Sequence, residues 1–212
     1  MLTGRALLLD MDGTLVDSHA VVERCWSRWA RAKGLDPAAV LAVAHGRQGQ
    51  ATMAELLPDR PVEVNLAENR ELLAQETADT EGIVPVAGAP AFLAALDGAP
   101  HALVTSADVP LSTARMGAAG LPLPAVRVTA EDVRASKPDP EGFLRGAQLL
   151  GIDPSECIVF EDSEAGIAAG KAAGMRVVGV GPQSARFSPD AQVDDLTSVT
   201  VTVDDEGIHL TL

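Results

Sequence analysis

Two aspartates stand two residues apart at the end of a short apolar run, in Leu7-Leu8-Leu9-Asp10-Met11-Asp12-Gly13-Thr14. On an extended backbone that spacing points both carboxylates to the same side. Like charges so close stay ionised only when a cation or strong donors neutralise them. Gly13 lets the chain turn sharply and leaves room for an anion near the backbone. The chemistry implied is a hard divalent metal ion on oxygen ligands, beside an anionic substrate. Asp-Gly pairs are also ordinary turn markers, so the rest of the chain has to decide between the two readings.

Three further polar sets follow apolar runs. Ala102–Val104 ends in Thr105-Ser106, Ala125–Val128 is followed a few residues on by Lys137, and Cys157–Phe160 ends in Glu161-Asp162. If these runs are parallel strands, all four sets gather at one edge of the sheet, where open α/β sheets bind their ligands. Together they supply carboxylates for a metal, hydroxyls for phosphate oxygens, an ammonium against developing negative charge, and carboxylates for attack and proton transfer. Taken singly, each has a plainer reading. Thr105 could be a turn hydroxyl, Lys137 a solvated lysine, and Glu161 a supporting residue. Only three lysines occur, at 33, 137 and 171, which makes the placement of Lys137 informative.

The elements that must position these groups are legible in outline. Ala6–Leu9 is continuously apolar, as a strand buried on both faces should be. Helical spacing is expected over 18–33, 37–45, 50–57 and 62–77, with no strand signal between Ser18 and Glu81. The two tryptophans, Trp26 and Trp29, fit packing between helices. After Gly82 come a Pro/Gly-punctuated linker and then strand–helix alternation, ending in an expected hairpin around Asp204-Asp205-Glu206-Gly207. This predicts an α/β fold: a doubly wound parallel sheet, Rossmann-like, over 1–15 and 83–212, with a small all-helical domain inserted at 16–82.

Composition excludes several classes. The chain has 212 residues and a formal net charge of −14, which argues against nucleic-acid or anionic-membrane partners. No apolar run approaches the length of a membrane span, and no secretory leader is evident. Cys25 and Cys157 read as lone buried thiols of a reducing compartment. A cytoplasmic, monomeric enzyme is expected, acting on a small molecule.

The segments DMDGTLVDS, LVTSAD, SKPDP and VFEDSEAGIAAGKAAGM resemble the four ordered motifs of the haloacid dehalogenase superfamily. That resemblance implies Mg²⁺ as cofactor, held by Asp10, the backbone of Asp12, and Asp162, with Glu161 as a second acidic member. It implies Asp10 as nucleophile, Asp12 as general acid/base, Thr105 and Ser106 at the phosphoryl group, and Lys137 against its charge. Asp12 favours phosphate chemistry over dehalogenation, and Lys33 has nothing evident to desolvate it as a Schiff-base lysine would require. His45-Gly46-Arg47-Gln48, with Ala118–Pro124 and Gly146–Ile152, resembles bacterial sugar and hexitol phosphatases. His45, Arg47, Gln48 and His19 are therefore expected over the site as substrate contacts. A phosphosugar mutase is the alternative, and a non-catalytic phosphate-binding relative a more distant one. Ala107-Asp108 stands where many relatives carry glycine.

Overall fold

In the computed structural model, which describes residues 1–212, the elements run β1 (Leu2–Gly4), β2 (Ala6–Leu9), β3 (Val16–Asp17), α1 (His19–Ala32), α2 (Pro37–Ala44), α3 (Gly49–Leu56), α4 (Val62–Ala78), β4 (Val84–Pro85), α5 (Ala89–Ala95), β5 (His101–Val104), α6 (Val109–Ala118), β6 (Val126–Val128), α7 (Glu141–Leu150), β7 (Cys157–Glu161), α8 (Glu164–Ala172), β8 (Arg176–Val180), β9 (Ala191–Val193), β10 (Thr200–Asp204) and β11 (Gly207–Thr211). Six strands form one parallel sheet in the order β6-β5-β2-β7-β8-β9. β2 lies inside it, between β5 and β7, and all four of its residues are buried.

Side-chain alternation splits the core in two. Leu7 and Leu9 join Leu103, Ile158 and Phe160 on the face covered by α5 and α6, while Ala6 and Leu8 meet Val104, Phe143 and Val159 on the face of α7 and α8. This two-sided burial is why the strand carries no polar residue until it leaves the sheet at Asp10.

Helix starts follow their sequence signals. Asp36 caps α2 ahead of Pro37, Asp108 caps α6 ahead of Pro110, and Ser163 caps α8. Ser18 is an exception. It stands at the cap position of α1 but makes no cap bond, because its hydroxyl is used by Asp12.

Three features differ from expectation. The stretches entering and leaving the helical segment pair as β3 and β4, with Val16 opposite Pro85 and Asp17 opposite Val84. The expected terminal hairpin forms as β10 and β11, and it gains β1 as a third antiparallel strand. β9 extends the main sheet beyond β8. The unexpected strands β1, β3, β4 and β9 are two or three residues long, too short for a periodic signal.

Helices α1 to α4 all fall between β3 and β4 and pack on one another, and α4 also packs on α6. No helix is long and apolar enough to cross a membrane.

Candidate active site

Asp10 leaves the sheet at the end of β2, and Lys137 reaches it from the loop before α7. Lys137 Nζ donates to Asp10 Oδ1 at 2.5 Å, to Glu161 Oε1 at 2.8 Å and to the Val104 carbonyl at 3.2 Å. An ammonium has three protons, so this one is fully satisfied although nearly inaccessible. Its neighbours raise its pKa: burial disfavours the charge, and Asp10 and Glu161 more than offset that. Glu161 Oε2 accepts from the Ser163 N–H and hydroxyl at 2.7 and 2.9 Å. Helix α8 closes over Glu161 so tightly that a Cβ at Gly166 would sit 1.7 Å from its Oε1. The small residues of α8 are thus packing residues.

Asp10, Glu161 and Asp162 bring carboxylate oxygens within 4.8 Å of one another. Burial pushes the Asp10 carboxyl up to about 8. Lys137 opposes this, and Glu161 and Asp12 add to it. Asp162 is raised well above the ordinary range by burial, Glu161 and Asp10. One ammonium is too little positive charge for such a cluster, and a hard divalent cation would supply the remainder. The backbone at Gly13 takes φ +83°, and a side chain there would strike Asp162 Oδ2 at 2.1 Å. The donor set and this close approach fit Mg²⁺. Asp10 and Asp162 have the freer oxygens, while those of Glu161 are engaged by Lys137 and Ser163.

Thr105 follows β5 and is buried. Its Oγ1 accepts from the Ala107 N–H at 3.1 Å, which leaves the hydroxyl proton free for an anionic oxygen. Ala107 is accommodated without strain, since the only non-glycine residue at positive φ is Ser188. The Ser106 hydroxyl donates to the Gly46 carbonyl at 2.9 Å and so ties the site loop to the α2–α3 loop.

Asp12 is held from two sides. Ser18 Oγ donates to its Oδ1 at 2.6 Å, and Arg115 Nη1 to its Oδ2 at 2.7 Å. Arg115 also donates through Nη2 to Glu76 Oε2 at 3.0 Å. It thereby joins helix α6 of the sheet portion to α4 of the helical segment. Neither Arg115 nor Glu76 stood out in sequence, yet both are buried against the site. Burial pushes Glu76 up to about 7 against the pull of Arg115.

A cavity of about 80 Å³ is lined by these groups and by the helical segment, including Asp10, Asp12, Thr105, Asp162, His19 and Glu76. His45 and Arg47 line it too. His19 and His45 lie with their rings tilted at 40° and 5.7 Å between centroids, and burial, then His19, lowers the pKa of His45. Arg47 is held by Glu55. Gln48 lines a smaller neighbouring pocket with Thr105, Ser106 and Lys137 rather than this cavity. Its N–H donates to Ser136 Oγ at 2.8 Å and its side chain to the Ala130 carbonyl at 3.4 Å, which anchors the loop. Lys33 is bound to Glu68, and Lys171 lies on the exposed side of α8.

Residues 5–174 match the haloacid dehalogenase-like hydrolase family, and the chain belongs to it. Hexitol phosphatase A of Escherichia coli (strain K12) is 43% identical over 208 residues, covering 96% of each chain. The 2-deoxyglucose-6-phosphate phosphatase 2 of Saccharomyces cerevisiae is 31% identical over 230 residues, covering 94% of this chain and 91% of its own. In fold, the crystal structure of a β-phosphoglucomutase from Clostridium difficile superposes with a TM-score of 0.80 at 21% identity, covering 91% of each chain.

Proposed function

We propose that this enzyme hydrolyses phosphate monoesters of sugars or hexitols through a phosphorylated Asp10. The observation that carries the reading is the buried Lys137–Asp10–Glu161 cluster at the sheet edge, with Asp162 beside it. Its likeness to phosphatases named for hexitol and deoxyhexose phosphates supports the substrate class.

Asp10, Asp162 and the backbone of Asp12 would hold Mg²⁺, which supplies positive charge against the phosphoryl oxygens when bound. An oxygen of Asp10 attacks phosphorus, and the bond from phosphorus to the ester oxygen breaks. Asp12 gives its proton to that oxygen, so the alcohol leaves neutral. Water then attacks phosphorus, Asp12 takes the proton back, and phosphate leaves Asp10. Lys137 stays charged throughout and offsets repulsion between carboxylate and phosphate. The Thr105 hydroxyl donates to the phosphoryl group. Ser18 and Arg115 keep Asp12 pointed at the site.

On this reading residues 16–82 are a cap on a core of residues 1–15 and 83–212. The cavity lies between the two portions and is lined from both, so on this reading the cap moves to admit substrate and closes to exclude water. The paired β3 and β4 are the hinge that carries both crossings.

Phosphate release from a panel of hexitol, hexose, nucleotide and short-chain phosphates tests this, with Mg²⁺ or chelator and beside Asp10→Asn. Mg²⁺-dependent release from hexitol or hexose phosphates, abolished in the variant, is expected. Isomerisation without release would replace hydrolysis by a mutase reaction.

A further inference from the structure

The buried face of α4 is Asn65, Asn69, Leu72 and Glu76. Three of these four are polar, which is unusual for a stripe turned inward. Each of the three also carries a buried oxygen with no hydrogen-bond partner: Asn65 Oδ1, Asn69 Oδ1 and Glu76 Oε1. A buried acceptor left unmet is destabilising, and buried polar atoms in folded proteins rarely go without a partner. Asn69 and Glu76 line the cavity over Asp10, while Asn65 does not.

Glu76 is fixed rather than free to turn toward solvent. Its Oε2 accepts from Arg115 Nη2, and Arg115 is in turn held by Asp12. The carboxylate therefore keeps one oxygen on the guanidinium and leaves Oε1 in a residue facing the cavity. Asn69 Oδ1 lies close against Gly49, where a side chain would collide with it. What these two side chains lack is donors. Arg47, the other cation at this cavity, is engaged by Glu55.

We infer that Glu76 and Asn69 are the specificity residues of this enzyme: they accept hydrogen bonds from hydroxyls on the carbon chain of the substrate, and Arg115 positions Glu76 to do so. The inference rests on the phosphatase reading and sharpens it. The substrate is a phosphate monoester whose far portion is polyhydroxylated and uncharged. A carboxylate or second phosphate there would meet the Glu76 carboxylate and be rejected, whereas alkyl chains would leave both acceptors unmet.

Three probes share one phosphate and one chain length: sorbitol 6-phosphate, hexyl phosphate and 6-phosphogluconate. For the wild-type enzyme kcat/KM is expected to be at least about 100-fold higher on sorbitol 6-phosphate than on hexyl phosphate. In Glu76→Gln an amide takes the place of the carboxylate. That variant should narrow the preference over hexyl phosphate about tenfold, and should narrow the preference over 6-phosphogluconate by a similar factor. The second change reads charge at the far end of the substrate, which a merely structural role would not move. Equal hydrolysis of sorbitol 6-phosphate and hexyl phosphate by the wild-type enzyme overturns the inference without any variant. So does a Glu76→Gln protein that loses activity on all three in the same proportion. Failure of the phosphatase reading itself would look different, as no phosphate released from any of the three.

Discussion

Lys137 Nζ lies 2.5 Å from Asp10 Oδ1, although 127 residues separate them in sequence. The pair is buried, and Lys137 also reaches Glu161. Removing the ammonium leaves two buried carboxylates uncompensated, which costs about 3–5 kcal/mol in such pairs. Lys137→Met is therefore expected to lower the melting temperature measurably and to reduce kcat about 100- to 1000-fold. Lys137→Arg should not restore activity, because a planar guanidinium cannot direct three protons as an ammonium does. Scanning calorimetry and phosphate-release kinetics on both variants check this. An arginine variant with near wild-type kcat would show that charge alone suffices.

The residues at the strand ends were legible because sheet topology does the gathering. Asp10, Thr105 and Glu161-Asp162 each follow an apolar run, and parallel strands carry such ends to one edge. Arg115 and Glu76 were not legible. Arg115 sits near the end of a helix, where a basic residue is ordinary. The α4 stripe at 65, 69, 72 and 76 has the spacing of a buried face, but three polar residues made it resemble a solvated one. Only the position of α4 against α6 shows that it faces inward. The surroundings of Gln48 were not legible for a similar reason. Spacing put it beside His45 and Arg47, and the fold turned it onto Ser136. The short strands β1, β3, β4 and β9 depend on partners distant in sequence, which local pattern cannot supply.

The acidic cluster makes a prediction that does not involve turnover. Mg²⁺ at about 100 times its dissociation constant stabilises the folded state by about 2.7 kcal/mol. For a chain of this length that raises the melting temperature by roughly 5–10 °C. Asp162→Asn removes one of the two carboxylates proposed to hold the metal, and the shift should largely vanish. Thermal unfolding with Mg²⁺ or chelator measures both. A full Mg²⁺ shift in the variant would remove Asp162 from the metal site.

Two hydroxyls hold the α2–α3 loop down on the sheet portion: Ser106 Oγ donates to the Gly46 carbonyl, and Ser136 Oγ accepts from the Gln48 N–H. Each bond is worth about 1 kcal/mol. Replacing both serines by alanine should shift the closed–open balance proposed for the helical segment by roughly tenfold or more, raise KM, and speed amide exchange over residues 44–50. Hydrogen-exchange mass spectrometry reads the last of these directly. Unchanged exchange across that loop would mean that other contacts hold the cap.

Glu68, beside Asn69 on α4, ties the helical segment together. Its Oε1 accepts from Lys33 at 2.5 Å and from Arg60 at 2.6 Å, and its Oε2 accepts from Trp29 Nε1 at 2.8 Å. Burial alone would raise its pKa, but the bonds from Arg60, Lys33 and Trp29 outweigh burial and hold it down at about 2. A carboxylate whose pKa is depressed on folding stabilises the protein above its unfolded value and loses that contribution as pH falls toward the folded one. The stabilising effect is therefore complete above about 4.5 and fades between 4.5 and 2. Glu68→Gln should melt below the wild type at pH 7, and the gap between them should narrow steadily as pH drops from 5 to 3. A gap that widens on acidification would contradict the assignment. Because Glu68 fixes α4 against α1, the variant should also raise KM for polyol phosphates, through displacement of the neighbouring Asn69.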